Sequence, residues 1–83
     1  MNYYRYQFVS HCPINGDSIV YELLIASEKV VMVESIEAAC KSMERALHEV
    51  LADVLQRKLG GEQTLTARHG AVDVRTERNE VVS

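Results

Sequence analysis

The segment Phe8–Asp17, Phe-Val-Ser-His-Cys-Pro-Ile-Asn-Gly-Asp, holds the residues of this chain best suited to chemistry. A cysteine attacks as its thiolate and needs a proton donor close by. Cys12 has His11 before it and Asp17 soon after, so a loop that gathered the three would supply a nucleophile with its acid. A structural reading competes. Asn15-Gly16 is a strong signal for a type I′ hairpin turn, because both residues tolerate positive φ. With that turn, Cys12 faces Ile19 on the apolar side and acts as a small buried hydrophobe. His11 and Cys12 then point to opposite faces, since neighbours in a strand alternate. Both readings stay open at this level.

Other chemistries have less to rest on. Gly60-Gly61 follows a helical pattern and does not precede one, so it is no phosphate loop. No pair or triplet of His, Cys, Asp or Glu has metal-ligand spacing, and no metal or cofactor is expected. Cys40 falls on an apolar stripe and reads as structural. His69 reads as a turn residue.

The elements that must position these residues are a central helical stretch with a strand hairpin on each side. Ser35 to Leu59 reads as one long amphipathic helix, N-capped by Ser35, with Gly60 at its C′ position. Ile36, Cys40, Met43, Leu47, Val50 and Val54 recur at alternating spacings of four and three and form its core stripe. Leu51, Leu55 and Leu59 drift off that stripe: either they broaden the core face of a slightly bent helix, or they form a second apolar edge for self-association. The helix would span about 37 Å at 1.5 Å per residue. Strands of about 25 Å are too short for it, so it must overhang, bend or break.

Strands are expected near 3–12, 18–26, 63–68 and 71–77. An Asn15-Gly16 turn pairs Phe8 with Leu23, Tyr6 with Ile25, Ser10 with Tyr21 and Cys12 with Ile19. Tyr4, Tyr6, Phe8, Cys12, Ile19, Tyr21, Leu23 and Ile25 then share one face. A His69-Gly70 turn pairs Ala67 with Val72 and Leu65 with Val74. Residues 30–33 are apolar and β-branched: a short extra strand, or an extended lead into the helix. Residues 77–83 read as a flexible polar tail. The fold class is α+β, ββαββ, an antiparallel sheet with one long helix on its apolar face.

Eighty-three residues make one domain, 1–83. A core of this size contributes little net stability, so a homo-oligomer is expected. The net charge of −3, with no basic cluster, argues against nucleic-acid binding. No apolar run approaches 18 residues and no signal peptide is visible, so no membrane partner is expected. Reduced thiols in a cytoplasmic protein are the expectation.

Phe8-x-Ser10-x-Cys12-Pro13-Ile14-x-Gly16 resembles the active-site segment of the nitrile reductases of the queuosine pathway, members of the tunnelling-fold (T-fold) superfamily. Glu34-Ser35, His48-Glu49 and Arg68-His69-Gly70-Ala71-Val72-Asp73-Val74 are similar to three further family motifs. The resemblance implies the same ββαββ order, subunits joined edge to edge, and ligand sites between subunits. It implies catalytic roles for Cys12 and Asp17. It also implies that Glu34, His48 and Glu49 hold a purine-like or pterin-like ring. The chain departs from the pattern in three places. Asp17 stands two positions nearer the cysteine, Ile36-Glu37-Ala38-Ala39 replaces a basic cofactor segment, and the stretch from Glu34 to His48 is about one helical turn short. The chain is also much shorter than those reductases, which leaves nothing over for cofactor binding. The expected function is therefore a small oligomeric T-fold-like binding or scaffold protein. The alternative is a minimal enzyme on a purine-like or pterin-like substrate of the 7-deazaguanine type, using Cys12.

Overall fold

The computed structural model describes residues 1–80. Four strands form one antiparallel sheet in the order β1-β2-β3-β4. They are β1 Asn2–His11, β2 Ser18–Ser27, β3 Glu62–His69 and β4 Val72–Arg78. Two helices lie between the hairpins, α1 Val33–Lys41 and α2 His48–Leu59. The α+β, ββαββ expectation holds. The single long helix does not.

Sheet topology supplies the reason. β3 runs antiparallel to β2, with Glu62 paired to Ala26. The chain must therefore enter β3 at the same end of the sheet where it left β2. One helix of about 37 Å would deliver it to the far end and impose parallel pairing. Two helices, one out and one back, return it. At the reversal, β1 takes carbonyls that a continuous helix would use internally. The Ser10 Oγ donates to Met43 O at 2.8 Å, and the His11 backbone N–H donates to Glu44 O at 2.8 Å. Ser42 Oγ turns back onto Ala39 O at 2.7 Å. No glycine or proline marks this break, so helix propensity alone reads straight through it.

The restart at Leu47, extended at φ −68° and ψ 150°, changes the phase of the helix. Leu51, Ala52, Leu55 and Gln56 are its buried residues, whereas Leu47 and Val50 are 50% and 46% exposed. The expected stripe is thus corrected at Leu47 and Val50, and of the two readings of Leu51 and Leu55 the core face holds, not the second edge. In α1, Ile36, Ala39 and Cys40 are buried as expected. Ser35 is not the N-cap; extended Met32 precedes the first turn, and no side chain caps it. Residues 30–32 are the extended lead and form no strand.

Both hairpins are shifted by two residues from the expected registers. Phe8 pairs with Tyr21 and Tyr6 with Leu23. Asn15 does not take positive φ, so Asn15-Gly16 is not a I′ turn. A longer loop closes instead, with Gly16 N–H on Cys12 O at 2.8 Å and Cys12 N–H on Asp17 O at 2.9 Å. In the second hairpin His69 pairs with Val72, leaving Gly70-Ala71 as the turn. Gly70 has φ 63°, the glycine-first pattern of a II′ hairpin. A shift of two preserves which face each side chain occupies. Phe8, Ser10, Ile19, Tyr21, Leu23, Ile25 and Leu65 accordingly stay buried under the helices.

At the far end α2 enters β3 through Gly61, where a Cβ would meet Ala26 O at 2.8 Å. Gln63 Nε2 donates to Leu55 O and Gly60 O at 3.0 and 2.8 Å, closing the last turn of α2. β4 continues through Glu77 to Arg78, whose Nε donates to Asp53 Oδ1 at 2.8 Å. Residues 77 and 78 of the expected tail are therefore strand, and 81–83 lie outside the described residues. Asp53 thus ties α2 to β4.

Candidate functional site

The registers bring both hairpin turns to one end of the sheet, the end at which α2 begins. Cys12, just past β1, is 4% exposed there. It lines a cavity of about 40 Å³ together with Tyr21 of β2, His48 of α2, His69 of β3 and Val74 of β4. Three distant stretches of sequence thus converge on one thiol.

His48 is fixed by two contacts. Its Nε2 lies 3.1 Å from Leu65 O, so that nitrogen carries the hydrogen and donates to the carbonyl. Its ring packs at 5.4 Å, tilted, against Tyr21. Burial pushes the imidazole below its ordinary value. The Leu65 hydrogen bond and the Glu49 charge oppose that shift, and the Arg78 charge adds to it. Tyr21 stacks on its other side against Phe8 at 5.4 Å. Burial, and then the charge of Cys12, push its phenol above the ordinary 10.0. Cys40 lies elsewhere in the core, 1% exposed, and burial pushes its thiol up to about 11. It has the character of an inert core residue.

Of the residues expected at a site, the structure brings Cys12 and His48 together. Asp17 is exposed, and its carboxylate does not line the cavity. Its backbone closes the loop, the N–H donating to Asn15 Oδ1 at 3.0 Å. Glu49 is exposed beside His48 in the first turn of α2, close enough for its charge to act on the imidazole. Glu34 is exposed in the first turn of α1 and is not part of the cleft. His11 turns to Glu44 O, 3.1 Å from its Nδ1, and leaves Cys12. Sequence reasoning missed Tyr21 and His69. Tyr21 shared a face with Cys12 in the expected pattern, and that was the available signal.

No family model matches the chain, and no curated protein matches it. Among solved structures, the crystal structure of the archaeosine synthase QueF-Like in the apo form superposes with a TM-score of 0.67. The match covers 98% of this chain and 95% of that one, at 21% identity. The chain shares that protein's fold, as the T-fold resemblance implied. At this identity the likeness is one of fold, and it extends nearly end to end. Among the described residues, no helix is long and apolar enough to cross a membrane.

Proposed function

We propose that this T-fold protein is a small enzyme acting on a purine-like base of the 7-deazaguanine type, with Cys12 as its nucleophile. The observation that carries the reading is the convergence of Cys12, Tyr21 and His48 on one cavity, within the fold of an archaeosine synthase. Chain length no longer favours a scaffold, because the match covers 95% of that synthase's chain. In the step implied, the Cys12 thiolate adds to an electrophilic carbon of the base, such as a nitrile carbon. Neutral His48 offers its free ring nitrogen to an N–H of the base. Glu49, beside His48, is the carboxylate available to anchor the ring; Glu34, off the cleft, would serve only from a second copy of the chain.

A cavity of about 40 Å³ cannot hold such a base. Small-molecule sites run to roughly 300–1,000 Å³. A second copy of the chain, joined through the strand edges, completes the pocket in this reading.

A second reading keeps the fold as a binding or scaffold protein. The exposed Asp17, which lies off the cavity, favours it. Intact-mass measurement after incubation with a nitrile-bearing 7-deazaguanine separates the two. The enzyme reading expects one base added per chain, and none with Cys12→Ser. Binding without an adduct supports the second reading. Neither binding nor adduct overturns both.

A further inference from the structure

We propose that β1 of one copy pairs antiparallel with β4 of a neighbouring copy in a single register, with Arg5 opposite Glu77, Gln7 opposite Arg75 and Val9 opposite Asp73. The direction of the backbone groups in the edge strands leads there. Along a strand, neighbouring residues turn their N–H and C=O groups to opposite sides. The Cys12 N–H points inward to Asp17 O, and the His11 N–H points outward to Glu44 O. Tyr3, Arg5, Gln7 and Val9 share the direction of His11, so their backbone groups line the outer edge of β1. In β4, Val72 closes the two-residue turn against His69 and faces β3. Asp73, Arg75 and Glu77 therefore line the outer edge of that strand. Among the described residues, no backbone group pairs with either edge except at His11. Glu77 O accepts from Arg78 Nη1 at 3.0 Å and keeps a second lone pair.

The exception at His11 sets the register. Glu44 O takes the His11 N–H at 2.8 Å, and Arg45 bridges His11 in parallel. This segment caps the edge of β1 at its end, which leaves Tyr3 to Val9 open to a second strand. The seven residues of β4 then have few ways to fit. With Asp73 opposite His11, the strand runs into the cap. With Arg75 opposite Arg5, two cations face each other, which destabilises a cross-strand pair. With Asp73 opposite Arg5, Glu77 and Arg78 run past the start of β1 at Asn2. A slip of one residue turns the outward groups away from each other. The proposed register avoids all four faults and sets Glu77 against Arg5. Arg5 gives its Nε to Glu22 at 2.7 Å, and a guanidinium has further N–H donors for a second carboxylate.

The side chains that meet in this way all lie on the face of the sheet away from the helices. The helices of successive copies therefore stay on one side, and each copy uses both of its edges. On the helix face, Val74 and Val72 come opposite Phe8 and Ser10 of the neighbouring copy. Val74 lines the Cys12 cavity. The neighbouring copy's reversal, Met43 to Arg45, is bonded to its own Ser10 and His11. That segment then stands beside Val74 and adds a wall to the cavity. The pairing rests on the second copy invoked in the proposed function, and not on the substrate.

Cross-linking of the full chain tests the register. Gln7→Cys chains are mixed with Arg75→Cys chains, oxidised, and mapped as peptides without reduction. Cys12 and Cys40 are buried, and their peptides are told apart in the map. Facing residues of a hydrogen-bonded antiparallel pair lie about 5.5 Å apart at Cα, within disulfide reach. The Gln7–Arg75 product should form, and Gln7→Cys with Asp73→Cys should give far less. A dominant Gln7–Asp73 or Gln7–Gln7 product overturns the register, and so does a lone chain in sedimentation. Glu77→Arg should weaken association by about tenfold. Glu62→Arg makes the same charge change on β3, an inner strand, and should leave association as it is. Equal weakening by the two overturns the Arg5–Glu77 contact and the register with it. The nitrile adduct is read apart. Cross-linked copies with no adduct in the parent protein overturn the substrate and keep the register, and an adduct on a lone chain does the reverse.

Discussion

The Ser10 hydroxyl donates to the Met43 carbonyl at 2.8 Å, and Ser10 is completely buried. This bond joins β1 to the reversal between the helices and holds the carbonyl that would have continued α1. It thereby helps set where α2 begins and where His48 stands.

Ser10→Ala leaves that carbonyl without its donor. The expected loss is about 1–3 kcal/mol in a urea titration, the cost of an orphaned buried group. Ser18→Ala, at an exposed strand start, should stay within about 0.5 kcal/mol. Equal losses would show that the bond does not hold the reversal.

Leu51→Ala and Leu55→Ala should each cost about 2–5 kcal/mol, because both side chains are fully buried and would leave cavities. Leu47→Ala, half exposed at the start of α2, should cost less than about 1 kcal/mol. Guanidinium titration of the three variants checks the order. A Leu47 loss as large as that of Leu51 would restore the continuous-helix stripe.

Stability should fall as pH drops below neutrality, in part through His48. Its folded value is depressed by burial below the ordinary 6.5. Above 6.5 the imidazole is neutral in both states and adds no pH dependence. Below it the unfolded chain binds a proton that the folded chain resists, so unfolding is favoured until the folded value is also passed. Urea midpoints at pH 7 and pH 5 should therefore converge in His48→Gln relative to the parent. A parental difference retained in full by His48→Gln would remove this role.

Among the described residues, β1 and β4 are the edge strands of the sheet. Uncovered edges are normally paired, charged or hidden. Sedimentation at micromolar concentration should give a mass that is a multiple of 9.4 kDa. A lone 9.4 kDa species would remove the second-copy pocket from the proposed function. Leu55→Glu, on its face a probe of association, would instead unfold the chain, because Leu55 is buried in the core.

What the sequence determined by itself was periodicity. Alternation of two in Tyr4, Tyr6, Phe8 and in Ile19, Tyr21, Leu23, Ile25 settled which face of the sheet is buried, and a register error of two residues left that unchanged. Local composition also placed the four strands within a residue or two, and the Cys12 segment pointed to the T-fold. The tertiary structure decided what local signals do not encode. Residues 42–47 suit a helix, yet β3 must begin beside the end of β2, and only a reversal allows it. Ser10 and His11, far away in sequence, take the carbonyls at that reversal. The phase of α2 follows from it, and so do the burial of Leu51 and Leu55 and the meeting of His48 with Cys12 and Tyr21. A single helix through Leu59 would have placed the imidazole elsewhere. The site is therefore a consequence of strand pairing, a long-range property that residue spacing along the chain does not carry.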